Sequence, residues 1–201
     1  MALETLRRGV ARVFWRCSKW NLAREQDRYD GPRIMIGAPH TSNFDFVLML
    51  AIAWEGRYSI HWLGKRQLFK GWRGPVMRSL GGITVDRDNP GRVVDEIVEL
   101  AKGDERFLLV VTPEGTRKGK GWRSGFYRIA TGAGLPVSLG FADGSTKTAG
   151  IGPTFKLSGD VAADMDRIRE FYRDKTGVRA EYRTEPRLRD ESSLHLGSPS
   201  Q

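Results

Sequence analysis

Arg106-Phe-Leu-Leu-Val-Val-Thr-Pro-Glu-Gly115 is the stretch that decides the fold of this 201-residue chain. Residues 106–111 are a short, strongly apolar run and read as a strand. Pro113 and Gly115 then force a tight turn at its end, where open α/β sheets bind ligands. Working outward, Arg33-Ile-Met-Ile-Gly-Ala38 follows the turn signal Asp30-Gly31-Pro32 and reads as a second buried strand. Residues 58–63, 82–85 and 135–141 look like further strands, and 147–157 offers one or two more. Helical stretches fall between them. Residues 43–54 are mostly apolar and long enough for a helix. Residues 91–102 place Val93, Val94, Ile97, Val98 and Ala101 on one face. Residues 123–133 follow, then 161–175 with Met165, Ile168, Phe171 and Tyr172 on one side. Residues 65–80 read as a basic, Trp-bearing broken helix. Alternating strands and helices mean an α/β sandwich, a sheet covered by helices.

Composition bounds the rest. At 22.6 kDa, with 39% hydrophobic and 10% aromatic residues, the chain is one ordinary domain able to bury a core. Its single Cys, Cys17, excludes a disulfide framework and a cysteine-rich zinc site. The three His, at 40, 61 and 195, lack metal-ligand spacing. No apolar run reaches the length of a membrane-spanning helix. The arginines laced through the first residues do not suit a secretory signal.

Lys and Arg number 33 against 24 Asp and Glu, a net of +9. Residues 1–20 carry Arg7, Arg8, Arg12, Arg16 and Lys19 against Glu4. Residues 61–78 carry Lys65, Arg66, Lys70, Arg73 and Arg78 with no acid. These two segments hold the whole excess and call for an anionic partner: lipid headgroups, phosphorylated substrates or nucleic acid. In the first of them Leu3, Leu6, Val10, Val13, Phe14 and Cys17 recur at helical spacing, opposite Arg8, Arg12, Arg16 and Lys19. Two readings stay open. One is a helix lying in a membrane interface, basic side toward the headgroups; the other is a helix packed on the domain's own core. The expected organisation is an amphipathic helix over 1–20, a domain over 21–184 and a mobile polar tail over 185–201.

Three segments could carry chemistry, each at a strand end. In Ala38-Pro-His40-Thr-Ser-Asn-Phe-Asp45, a carboxylate in the first turn of a helix can reach an imidazole just before it. That pairing fixes the tautomer and stabilises the imidazolium formed when His40 takes a proton. The same Ser42-x-x-Asp45 spacing also reads as a capping pattern. In Pro113-Glu114-Gly115-Thr116-Arg117, Arg117 offers a planar fork for phosphate, and Glu114 could hold Arg117 or a substrate hydroxyl. In Gly82-Ile-Thr-Val-Asp86-Arg87, Arg87 could be a second phosphate ligand. Lys65, near another strand end, is a further candidate. The 113–117 and 82–87 segments also read as plain surface turns with Glu–Arg or Asp–Arg pairs. Oxyanion donors are expected among the backbone N–H groups near 42–45. Nucleophile-elbow, P-loop and dinucleotide-binding patterns are absent; Gly121-Trp-Arg-Ser124-Gly has one residue too many before its Ser.

In this order the segments resemble the glycerolipid acyltransferases of the lysophosphatidic acid acyltransferase (PlsC-like) family. His40-x4-Asp45 looks like its H-x4-D motif, 82–87 its second block, Pro113 to Arg117 its P-E-G-T-R block, and Leu135-Pro136-Val137 a later apolar block. The resemblance covers about 33–141. It implies a mixed, mostly parallel central sheet flanked by helices. It implies acyl transfer from acyl-CoA or acyl carrier protein to a glycerolipid hydroxyl, on an acceptor such as a lysophospholipid or a glycerol phosphate. His40 is then the general base and Asp45 its partner. Glu114, Gly115, Thr116, Arg117, Arg87 and Lys65 hold the acceptor. No metal or bound cofactor is implied, and the expected setting is the cytoplasmic face of an anionic membrane. Two other readings are a non-catalytic phospholipid- or phosphate-binding module on the same fold, and a nucleic-acid binder, for which no recognised module pattern is present.

Overall fold

The computed structural model describes residues 2–23, 29–84, 90–115 and 121–191. Its elements follow in chain order: α1 (Ala2–Cys17), β1 (Asn21–Leu22), β2 (Arg33–Ala38), α2 (Phe44–Glu55), β3 (Ser59–Gly64), a 3-10 turn (Arg66–Phe69), α3 (Arg73–Ser79), β4 (Gly82–Thr84), α4 (Pro90–Ala101), β5 (Phe107–Val111), α5 (Gly125–Ala133), β6 (Val137–Asp143), β7 (Thr148–Phe155) and α6 (Val161–Tyr172). The seven strands form one sheet in the order β1-β7-β6-β2-β5-β3-β4. Every neighbouring pair is parallel except β6 and β7. This is the mixed, mostly parallel α/β sheet that the sequence and the resemblance imply.

The apolar runs are continuous because both faces of the sheet are covered. Successive side chains alternate. Ile34, Ile36, Phe107 and Leu109 pack against Val93 and Ile97 of α4, Phe126 and Ile129 of α5, and Met165, Ile168 and Tyr172 of α6. Met35, Leu108 and Val110 point the other way, toward Leu48 and Ile52 of α2, with Trp20, Trp62 and Phe69. An α2 that is apolar all round is thereby explained: it lies between the sheet and α1.

One side of α1 packs on the domain and the other faces outward. Ala11 is buried, and Phe14 and Trp15 pack toward α2, with Phe14 against Phe44. Leu3, Leu6, Val10 and Val13 face outward instead, about half or more exposed. The basic side is not turned wholly to solvent as the interfacial reading expects. Arg8 and Arg12 both meet Glu55 at the end of α2, at 3.4 Å, and Arg7 donates to the Ser79 carbonyl at 2.5 Å. The helix is docked by its cations and leaves most of its apolar stripe unpartnered.

The expected tail begins too early. Between 185 and 191 the chain is strapped to the domain. Trp122 N–H donates to the Arg187 carbonyl, and Arg189 N–H returns to that of Trp122. Leu188 is 4% exposed, and Glu191 pairs with Arg169 at 2.9 Å. A polar, Pro-containing stretch stays ordered here because its backbone groups find partners and one Leu finds the core.

Candidate active site

β2 and β5 are adjacent and parallel, with Ile36 opposite Val111. Their C-terminal ends therefore release two loops side by side, the first carrying His40 and the second Glu114. His40 Nδ1 lies 3.1 Å from Asp45 Oδ2. The same oxygen accepts the N–H groups of Thr41 at 2.7 Å and Ser42 at 2.8 Å. One oxygen thus meets both the imidazole and the chain entering α2, whose N-cap, Asn43, has no side-chain capping bond. A carboxylate at Nδ1 favours the tautomer with its hydrogen there, which leaves Nε2 as the acceptor nitrogen of a neutral ring. His40 and Asp45 both line a cleft of about 950 Å³.

Glu114 does not line that cleft. It is 3% exposed, and its Oε1 accepts the His40 N–H at 3.0 Å. The sequence reading has it hold Arg117 or a substrate hydroxyl; among the described residues its Oε1 holds the His40 backbone. Burial pushes its carboxyl above the usual range, against the hydrogen bond from His40, and the nearby Asp45 adds to the upward push. Of the backbone N–H groups expected as oxyanion donors near 42–45, those of Ser42, Phe44 and Asp45 are already engaged. Thr41 and Ser42 serve Asp45, Phe44 N–H donates to Ser42 Oγ, and Asp45 N–H to the Ser42 carbonyl.

Thr41 is buried from behind. Its Oγ1 accepts the N–H of Arg179 at 3.0 Å, and a side chain at Gly177 would strike it at 2.7 Å. The segment bearing Gly177 is in turn tied to Asp143 through Thr176. The loop of His40 is therefore braced by residues far along the chain.

Gly115, with φ of 66°, and Lys65, one residue past β3, both line the cleft. Arg87, Thr116 and Arg117 lie outside the described residues. Two cations that sequence reasoning missed, Arg123 and Arg128, line the cleft as well. Arg123 is brought there by its N–H bond to the Pro113 carbonyl and by the strap on Trp122. Its only sequence signal is a basic residue just before a helix that starts beside the 113–115 turn. Asn43, Gln67 and Thr112 add uncharged polar groups, and most of the remaining lining is apolar, including Met35, Leu48, Met49, Ile52, Val110 and Phe126. Gly37 and Gly140 sit opposite each other on β2 and β6 and keep side chains off the cleft floor. A Cβ at Gly140 would approach Met35 Sδ to 2.7 Å. Among the described residues no cluster of three or more His, Cys, Asp or Glu could hold a metal. None of their helices is long and apolar enough to cross a membrane.

A His–Asp pair at the strand ends of an α/β sheet, beside a mostly apolar cleft, is an arrangement able to serve group transfer without a protein nucleophile. The family model for Acyltransferase matches residues 19–141, and the chain belongs to that family. It is an acyltransferase. Its fold is similar to that of the 1-acyl-sn-glycerophosphate (LPA) acyltransferase PlsC from Thermotoga maritima, with a TM-score of 0.52 and 14% identity over 78% of this chain and 70% of that one. No curated protein matches the chain.

Proposed function

We propose that this enzyme transfers a fatty acyl group from acyl-CoA or acyl carrier protein to the free hydroxyl of a glycerophospholipid precursor such as 1-acylglycerol 3-phosphate. The reading rests on one observation: the His40–Asp45 pair, its backbone held by buried Glu114, lines a mostly apolar cleft that the cations Lys65, Arg123 and Arg128 line as well. His40 Nε2 removes the acceptor's hydroxyl proton as the oxygen attacks the thioester carbonyl. The imidazolium is stabilised by Asp45 and gives that proton to the departing thiolate. An ester and a free thiol result, and His40 ends neutral. Lys65 and Gly115, with Arg87, Thr116 and Arg117 of the two turns, hold the acceptor's phosphate and glycerol. The outward stripe of Leu3, Leu6, Val10 and Val13 lies in the membrane from which the acceptor comes. The enzyme works there as a peripheral protein on the cytoplasmic side, where both donor carriers are found.

A donor-by-acceptor matrix read by thiol release tests the reading. Acyl-CoA and acyl carrier protein are each offered lysophosphatidic acid, glycerol 3-phosphate and other lysolipids. Release dependent on a phosphorylated acceptor is the expected result. Lysolipid binding without release, on every pair, would make the chain a phospholipid-binding module instead.

A further inference from the structure

Ten large apolar side chains stand exposed among the described residues, and eight of them belong to α1, α2 and the 66–79 segment. These elements pack on the same face of the sheet, through the cluster that joins α2 to Trp20, Phe69, Met77 and Leu80. The opposite face, covered by α4, α5 and α6, exposes only Leu100. Exposed apolar side chains are ordinary when scattered; collected on one side of a molecule they mark a docking surface.

Beyond α1, the most exposed member is Trp72, at 78%. Leu68, Trp72 and Val76 recur at intervals of four, and Val47 of α2 is also exposed. Lys65, Arg66, Lys70, Arg73 and Arg78 are exposed on the same segment, and none has a carboxylate partner among the described residues. The Arg73 guanidinium sits over the Trp72 ring at 5.6 Å. An indole flanked by unpaired cations is suited to a headgroup region, where the ring enters the acyl boundary and the cations stay with the phosphates.

We infer that the 66–79 segment is a second bilayer anchor, with Trp72 at its tip, and that its partner is an anionic lipid surface. Gln67, Leu68 and Met77 of this segment line the cleft, so seating Trp72 brings the cleft mouth to the lipid. A second copy of the chain is the poorer occupant. A symmetric contact through this segment would set cations against cations, with no acid in 61–78 to answer them. The inference deepens the function proposed above. It rests on that function only for what the docked cleft does.

The test uses the full chain with phosphatidylcholine vesicles containing phosphatidylglycerol, their acyl chains brominated to quench indole emission. The wild type is quenched on binding, and Trp72→Phe loses much of that quenching. Trp72→Asp binds the vesicles at least roughly tenfold more weakly, from the apolar area an indole buries, and still transfers acyl groups to a short-chain, water-dispersed acceptor as the wild type does. Equal quenching in Trp72→Phe together with unchanged affinity in Trp72→Asp overturns the inference. So does a dimer in solution that Trp72→Asp dissolves, which gives the surface to a second copy. If no protein transfers acyl groups to the dispersed acceptor, the proposed function fails, and the quenching still decides the anchor.

Discussion

Replacing Glu114 by Ala removes the acceptor of the His40 N–H, a 3.0 Å bond. A buried donor left without a partner costs about 1–3 kcal/mol. Part of that is offset, because burial already disfavours the Glu114 charge and the carboxylate leaves with the mutation. A net loss of about 1–2 kcal/mol follows, or a fall in Tm of about 2–8 °C for a domain of this size. Turnover suffers more. His40 is held at its ring by Asp45 and at its backbone by Glu114, and a drift of about 1 Å in a reacting group can cost about 100-fold. The expected result for Glu114→Ala is a kcat lowered by about 10- to 100-fold, with the acceptor KM within about twofold of wild type. Glu114→Gln keeps an oxygen for the N–H and recovers most of the rate. Steady-state thiol release and urea unfolding on the same preparations give both readouts. A raised KM with kcat intact would mean that Glu114 grips substrate. A Gln variant as impaired as the Ala variant would remove the hydrogen bond as the cause.

Three further outcomes follow from the packing. Gly140→Val puts a branched side chain against Met35 on the cleft floor and overpacks the site by about 1–3 kcal/mol; on the proposed function, a series of acyl-CoA donors then shows preference shifted to shorter chains, and an unchanged profile would place the acyl chain elsewhere. Leu188→Ala costs about 2–5 kcal/mol in a denaturant titration, as a buried Leu should; a cost near zero would restore the mobile tail. Asp143 is buried, which opposes its charge, but hydrogen bonds from Thr146, Thr176 and Ser145 outweigh this and hold its carboxyl well below the usual range. A carboxyl with a depressed folded-state pKa stabilises above its unfolded pKa and loses that contribution as pH falls toward the folded value. The gap in unfolding free energy between wild type and Asp143→Asn is therefore constant near neutrality and shrinks below about pH 4. A gap that widens on acidification would contradict the assignment.

Much of the fold was legible because its central strands announce themselves. Residues 33–38 and 107–111 are apolar on both faces and end in Pro-containing turns, and the helices between them carry a 3.6-residue stripe. β1 gave no such signal. It has two residues, Asn21 and Leu22, and exists only because β7, more than a hundred residues later, supplies its partners. The stripe of α1 was legible, but not which part of it turns inward; contacts with Phe44 and Glu55 decide that. At the site, His40 and Asp45 could be paired from spacing alone, since a helix start fixes their separation. The role of Glu114 could not. A Glu in a Pro-Gly turn reads as solvated, and its burial follows from the adjacency of β2 and β5, which puts the His40 N–H within its reach. Arg123 was hidden for a similar reason, since its place depends on the 187–189 strap across the molecule.

On the proposed function, turnover depends on a proton taken by His40. Thiol release by His40→Ala, measured beside its thermal unfolding and vesicle binding, tests this most directly. The account predicts a rate lowered by about 10²- to 10⁴-fold in a protein that still folds and still binds lipid. A variant with those properties that keeps wild-type turnover would assign the base to another group.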